Sequence, residues 1–139
     1  MEELGRMLIV EEIRERLAPL FKEKDLRLIL LFGSAVTGAM HKKSDIDLAF
    51  LFDKSIDILS TTNRVIRLLQ TDKVDVIDLK HASPVLRYSV AEKGKLLYER
   101  SAGMFFEFYL LAFKEYVDTR KLREARERAI RDFLESRGL

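Results

Sequence analysis

Two aspartates in the middle of the chain are spaced so that they would point in the same direction. Asp45 and Asp47 flank a single isoleucine at the start of an apolar stretch, residues 45–52 (DIDLAFLF), that reads as a strand. On a β-strand, side chains at positions i and i+2 lie on the same face. Two carboxylates that close repel each other unless a cation lies between them. We therefore interpret the pair as ligands for a hard divalent cation, and magnesium also binds substrate phosphates.

A glycine–serine pair precedes the aspartates by ten residues. Gly33 and Ser34 directly follow an apolar run, residues 27–32 (RLILLF), which predicts a buried strand that ends in a tight turn. Gly33 lets the backbone approach a phosphate closely, and Ser34 offers a hydroxyl and an amide N–H to a phosphate oxygen. Either motif alone has little specificity. Together, on successive strands, they predict phosphoryl transfer assisted by metal ions.

A later strand supplies two candidates for a third carboxylate. Residues 74–79 read VDVIDL, and side chains alternate along a strand, so Asp75 and Asp78 lie on opposite faces. Only one of them can join the site of Asp45 and Asp47. Alternation by itself leaves open which one does.

The elements that must position these residues alternate between helices and strands. The loop between the strands at 27–32 and 45–52 is too short for an ordinary crossover helix, which favours antiparallel pairing. The pattern predicts a mixed α/β fold of the α+β kind, with a small mixed sheet flanked by helices. Further predicted elements are a helix at 3–21 that Pro19 kinks or shortens, a helix at 56–69 capped by Ser55, a helix from Ser83-Pro84 to about Gly94, an edge strand at 95–98, and a long helical region at 104–135 that breaks near Asp118-Thr119.

Length and composition fit one globular domain. The 139 residues are 47% hydrophobic, with six glycines and two prolines, which is typical of a compact chain rather than a disordered one. We expect a single domain over residues 1–139, with a core at 1–100 and a C-terminal helical extension at 101–139.

Charge and residue usage exclude several functional classes. The 25 basic and 23 acidic side chains give a formal charge of only +2, so we expect no direct nucleic-acid binding. The absence of cysteine excludes disulfides and thiolate metal sites. No apolar stretch reaches the ~20 residues that a membrane span needs, and the N-terminus does not resemble a signal peptide. We therefore expect a cytoplasmic protein without membrane contact.

The stretch LFGSAVTGAMHKKSDIDLAF resembles the signature of the minimal nucleotidyltransferases of the DNA-polymerase-β superfamily, which is Gly-Ser, ten residues and Asp-x-Asp. The resemblance implies the polymerase-β-like nucleotidyltransferase fold. It also implies that Gly33 and Ser34 hold the nucleotide triphosphate and that Asp45 and Asp47 bind magnesium.

The same resemblance distinguishes between the two acidic residues of the later strand. The family pattern places its third carboxylate at the first acidic position, which is Asp75, as a metal ligand and base for the attacking hydroxyl. Asp78 is then an edge or capping residue. One position departs from the pattern, because related sequences usually carry Arg where this chain has Thr37. Lys42 and Lys43, in the same loop, are either a partial replacement or solvated lysines.

The sequence beyond the motif, IDLKHASPVLRYSVAEKGKLLYER and FEFYLLAFKEYVD, is similar to the MntA-type antitoxins of HEPN–MNT toxin–antitoxin pairs. The resemblance implies a magnesium-dependent adenylyltransferase with two metal ions, which transfers AMP from ATP onto a tyrosine of a partner HEPN-domain toxin. Two alternatives are a non-catalytic antitoxin that blocks its toxin sterically and a nucleotidyltransferase for small molecules such as aminoglycosides. Arg87 and Tyr88 lie in the matching helix and are candidates for packing or substrate contact.

The C-terminal helical region is more apolar than one small core can cover. Residues 104–113 (MFFEFYLLAF) are apolar nearly all round the helix, and such a helix must be buried on several sides. We expect it to pack on the sheet, to contact a toxin or a second copy in a homo-oligomer, or to do both.

Overall fold

A four-stranded mixed sheet carries helices on both of its faces. The structure, a computed structural model, describes residues 9–33 and 45–139. The strands are β1 (Leu26–Phe32), β2 (Ile46–Phe52), β3 (Val74–Asp78) and β4 (Lys95–Glu99). The helices are α1 (Val10–Leu17), α2 (Ile58–Leu69), α3 (Pro84–Lys93), α4 (Met104–Asp118) and α5 (Arg120–Ser136), and a 3-10 helix (Ala18–Lys22) follows α1. The predicted mixed α/β class is confirmed.

The strands lie in the order β3-β2-β1-β4. β1 is antiparallel to both β2 and β4, as predicted for β2 from the short connection between them. β2 and β3 are parallel, and α2 forms the crossover that a parallel pair requires. This topology places the end of β1 beside the beginnings of β2 and β3.

The sheet separates two hydrophobic clusters. On one face, Phe50 of β2 packs with Val65 of α2 and with residues of α1. On the other face, Leu30 of β1 packs with Phe108 of α4 and with residues of α3. β1 and β2 are therefore buried on both faces, which explains why their sequences are almost continuously apolar.

The end of the first helix and the start of α3 follow the predicted chemistry. The described part of the N-terminal helix ends at Leu17, and Pro19 lies in the 3-10 helix that continues it; the predicted start of this helix lies outside the described residues. Ser83 caps α3, because its hydroxyl accepts the amide N–H of Leu86 at 3.2 Å. Pro84 occupies the first turn, where its missing N–H costs nothing.

The predicted cap of α2 was wrong. α2 begins at Ile58, and its cap is Asp57 rather than Ser55. The Asp57 carboxylate accepts the amide N–H of Ser60 at 3.3 Å. A carboxylate at this position also interacts favourably with the positive end of the helix dipole.

α4 and α5 are separate helices that meet at Thr119, as predicted, but Thr119 does not cap α5 with its side chain. Its hydroxyl instead donates to the carbonyl oxygen of Glu115 at 2.8 Å, in the last turn of α4. The hydroxyl therefore closes the end of α4. None of the helices within residues 9–33 and 45–139 is long and apolar enough to cross a membrane.

Candidate active site

The ends of three strands bring the predicted carboxylates to one edge of the sheet. Phe32 at the end of β1 is aligned with Asp47 on β2, and Asp47 is aligned with Asp75 on β3. Aligned residues on paired strands point to the same face, so Asp47 and Asp75 are neighbours there. Asp45 directly precedes β2 and lies two residues before Asp47. All three carboxylates thus project from the same edge.

Gly33 lies directly against the carboxylate of Asp47. Its φ of +82° belongs to the left-handed region, which side chains other than glycine rarely adopt. A Cβ added to Gly33 would lie 2.3 Å from Oδ2 of Asp47. Glycine therefore both permits the turn after β1 and leaves the space that the carboxylate occupies.

The electrostatic environment of Asp47 is unfavourable for its own negative charge. Burial raises the pKa of Asp47 above its ordinary value, and the nearby charges of Asp75 and Asp45 raise the pKa further. Asp47 is half-buried, whereas Asp45 and Asp75 are exposed. A cation placed between these groups would remove the repulsion and hold all three ionised.

Asp47 and Asp75 suit an open magnesium site better than a metal site closed by protein ligands on all sides. Among the described residues, no group of three or more acidic, histidine or cysteine side chains is arranged to hold a metal ion by itself, and this includes Asp45, Asp47 and Asp75. Magnesium commonly binds through one or two carboxylates and takes its remaining ligands from water and substrate phosphates. The edge where Asp47 and Asp75 stand offers such an open arrangement.

Asp78 lies apart from this edge. It is aligned with Phe50 rather than with an aspartate. Its Oδ1 accepts the amide N–H of Lys80 at 3.1 Å, and its Oδ2 is 2.9 Å from Nδ1 of His81. The prediction that Asp78 is a capping residue is confirmed.

The structure places only part of the predicted nucleotide-binding segment. Gly33 is described, whereas Ser34, Thr37, Lys42 and Lys43 lie outside the described residues. The roles proposed for those four residues remain predictions.

Arg87 and Tyr88 have packing partners in the structure. Arg87 donates from Nη1 to the carbonyl oxygen of Leu79 at 2.5 Å, and its guanidinium lies 5.2 Å from the ring centroid of Phe108. The Tyr88 ring stacks on Tyr116 of α4, with ring centroids 4.6 Å apart. These contacts pack α3 against Leu79 and α4, and a substrate contact by either residue stays a prediction.

No sequence signal connects Phe32 with the site. Its alignment with Asp47 places an aromatic side chain beside the carboxylate, on the face where Phe32 also packs against the cluster that contains Leu30. This neighbour depends on the pairing register of β1 and β2, and register leaves no signal at position 32 itself.

The sequence model of the family described as "Polymerase beta, Nucleotidyltransferase" matches residues 15–103, which include all four strands and the carboxylate edge. The chain belongs to this family of nucleotidyltransferases.

Several relatives resemble this nucleotidyltransferase over most of its length. It is 29% identical over 143 residues to the protein adenylyltransferase MntA of Aphanizomenon flos-aquae, covering 94% of this chain and 95% of the relative. It is 34% identical over 101 residues to the protein adenylyltransferase MntA of Shewanella oneidensis, covering 70% and 68%. A crystal structure described as a toxin–antitoxin with AMP-PNP is similar with a TM-score of 0.75 at 28% identity, covering 88% of this chain and 98% of the other.

Proposed function

We propose that this nucleotidyltransferase is a magnesium-dependent protein adenylyltransferase that acts as an antitoxin. The observation that carries the proposal is the alignment of Asp47 with Asp75 beside the Gly33 turn. This arrangement concentrates negative charge where the metal ions that accompany a triphosphate would neutralise it. The relatives named protein adenylyltransferase MntA support AMP as the transferred group and a protein as the acceptor. The related structure with AMP-PNP supports an ATP-like donor.

The chain's own residues have distinct tasks in this reaction. Asp45, Asp47 and Asp75 would hold two magnesium ions, and these would supply positive charge to stabilise the charge that develops on the phosphate oxygens. The backbone at Gly33 and the hydroxyl of Ser34 support the triphosphate. Asp75, exposed at the edge, accepts the proton of the attacking hydroxyl. A bond forms between that oxygen and the α-phosphorus while the bond to the bridging oxygen breaks, and pyrophosphate leaves.

The proposed acceptor is a tyrosine hydroxyl on a partner HEPN-domain toxin. Support comes from the similarity of the chain beyond its motif to MntA-type antitoxins and from the related toxin–antitoxin structure. Attachment of AMP adds a bulky anionic group to the toxin, which offers a direct route to its inactivation.

The two aspartates of β3 provide a matched test of the site. The purified chain is incubated with ATP labelled at the α-phosphate, magnesium and the partner toxin, and label on the toxin is measured. Asp75→Asn removes a charge from the proposed site, so we expect a loss of transfer of at least about 100-fold. Asp78→Asn makes the same chemical change on the opposite face, and we expect transfer within about threefold of the wild type.

Two other outcomes would contradict the proposal. Tight association with the toxin without label, unchanged by Asp75→Asn, would identify a non-catalytic binding antitoxin. Label on a small molecule such as an aminoglycoside, and none on the toxin, would identify a small-molecule nucleotidyltransferase.

A further inference from the structure

The outward side of α4 is an exposed apolar stripe. Phe106, Leu110, Phe113 and Val117 follow one another at intervals of four, three and four residues, the spacing that produces a straight helix–helix seam. Their side chains are 63%, 49%, 47% and 45% exposed, respectively. We call these four residues the α4 seam.

The inward side of α4 is occupied within the chain. Phe108 and Ala112 are buried against the sheet, and Tyr109 and Tyr116 meet Tyr88 of α3. The α4 seam remains about half exposed, although Phe113 at its edge also meets the Tyr88 ring, with ring centroids 5.8 Å apart.

We propose that the α4 seam pairs with the α4 seam of a second copy of this chain, in antiparallel orientation about a two-fold axis. In this orientation Phe106 faces Val117 of the second copy, and Leu110 faces Phe113. Each layer joins a large side chain to a smaller one, which fills space evenly along the seam. A two-fold axis makes every contact occur twice, so the same four side chains form both sides of the interface.

The charges that flank the seam favour the same arrangement. Glu107 and Lys114 occupy equivalent positions on one flank of the seam, one helical repeat of seven residues apart. In an antiparallel pair, equivalent flanking positions approach each other, so Glu107 of each copy meets Lys114 of the other. A parallel pair would leave both charges without an opposite neighbour. Glu107 has no ion-pair partner among the described residues, and Lys114 pairs only with the exposed Asp118 of its own helix, at 2.8 Å.

The size of the seam indicates the strength of the pairing. An aromatic side chain buries about 150–250 Å² in full, so four side chains that are roughly half exposed remove on the order of 400 Å² per chain. The total over both chains, about 800 Å², lies below the roughly 1,200–2,000 Å² of stable interfaces and is the size of a weak, transient one. We therefore expect a dimer that forms at micromolar concentrations and dissociates on dilution.

Two adjacent leucines supply a matched pair of variants for testing the seam. Leu110 belongs to it, whereas Leu111 is 57% exposed and faces away from it. Sedimentation velocity of the full chain over a concentration series should show a monomer–dimer equilibrium. Leu110→Asp should leave a monomer at every concentration, and Leu111→Asp should behave like the wild type. Equal effects of the two changes would overturn the proposal, as would a wild type that stays monomeric at several hundred micromolar.

A charge exchange identifies the occupant of the seam. Lys114→Glu should weaken the dimer about threefold to tenfold, since two opposite-charge contacts become repulsive. Adding Glu107→Lys to the same chain should restore the dimer, because both partners of each contact are then reversed. Restoration is expected only when the second partner is another copy of this chain.

If the double variant stays monomeric, or if Leu110→Asp abolishes toxin binding without changing self-association, the α4 seam binds another protein instead. The self-association measurements require neither ATP nor modification of the toxin, so their result is independent of the adenylyltransferase proposal.

Discussion

Two aspartates at opposite ends of β2 have opposite electrostatic surroundings. Asp53, just after the strand, pairs with Arg100 at 2.7 Å and with Arg27 at 3.5 Å. Its pKa lies below the ordinary value, chiefly because Arg100 donates a hydrogen bond to it. Asp47, near the start of the strand, has a raised pKa because of burial and two neighbouring carboxylates. Two arginines beside Asp53 lower its pKa, whereas no positive charge contributes to the pKa of Asp47.

The difference separates a stabilising charge from a functional one. A carboxylate that serves the fold has its cations in the same chain, and it strengthens the native state at neutral pH. In the role proposed for Asp47, a carboxylate that binds a metal ion must not already be paired with a cation of the same chain, so its repulsion is retained in the folded protein. We therefore propose that Asp53 serves the fold and Asp47 serves the reaction, and that their neighbouring charges distinguish the two roles.

The largest expected effect is on transfer activity. Asp47→Asn should lower kcat for adenylyl transfer by about 10²–10³-fold, because a metal ligand is lost at the reacting centre. Asp53→Asn, at the other end of the strand, should leave kcat within about threefold. Steady-state assays with labelled ATP and the toxin compare the two, and similar losses in both variants would remove the distinction drawn between the two ends.

The contact between Gly33 and Asp47 predicts the next largest effect. Gly33→Ala introduces a methyl group that overlaps Oδ2 of Asp47, and displacement of a reacting group by about 1 Å can cost 10²-fold in rate. Gly103→Ala is the control, because Gly103 also has a positive φ of +87° but has no atom within 4 Å of the added Cβ. Both changes should lower thermal stability through backbone strain. Only Gly33→Ala should lower kcat, and equal activity losses would refute the steric explanation.

Magnesium should stabilise the acidic end of β2 specifically. A cation that binds only the folded state contributes about 1.4 kcal/mol at ten times its Kd, which raises the melting temperature by a few degrees. Thermal unfolding with and without magnesium should show this increase for the wild type and for Asp53→Asn. Asp47→Asn should abolish it. An increase that persists in Asp47→Asn would place the cation elsewhere.

Without metal, the two substitutions should change stability in opposite directions at neutral pH. Asp53 has a lowered pKa, so its stabilisation is present above the unfolded value and is lost as the pH falls through the folded value; Asp53→Asn should therefore lower the melting temperature at pH 7. Asp47 has a raised pKa, so its penalty develops as the pH rises above the ordinary value of 3.8. Asp47→Asn should raise the melting temperature at pH 7, and this gain should vanish near pH 3. Melting curves at both pH values test the two signs.

Local sequence rules predicted the parts of the site that lie on one strand or one turn. Alternation placed Asp45 and Asp47 on a common face, and the Ser83-Pro84 pair marked the start of α3 correctly. The choice of Asp75 over Asp78 came from the family resemblance, and the parallel register with Asp47 now gives it a structural basis.

The remaining features depend on contacts between distant parts of the chain. The neighbours of Asp53 are Arg27 and Arg100, which are far from it in sequence and meet it only after β1, β2 and β4 pair. Ser55 and Asp57 are both residue types that favour helix caps, so local preference does not select between them, and the structure uses Asp57. Such outcomes are set by tertiary structure rather than by local preference.

The alignment of β2 with β3 makes correct strand pairing a condition for chemistry. A slip of one residue between these strands would turn every β3 side chain to the opposite face. Asp75 would then point into the apolar layer beneath α1 and α2, and Val76 would take its place at the carboxylate edge. Transfer activity therefore depends on the correct pairing of β2 with β3 and can be used to detect it. We expect β3 to tolerate conservative substitutions far better than the insertion or deletion of a single residue.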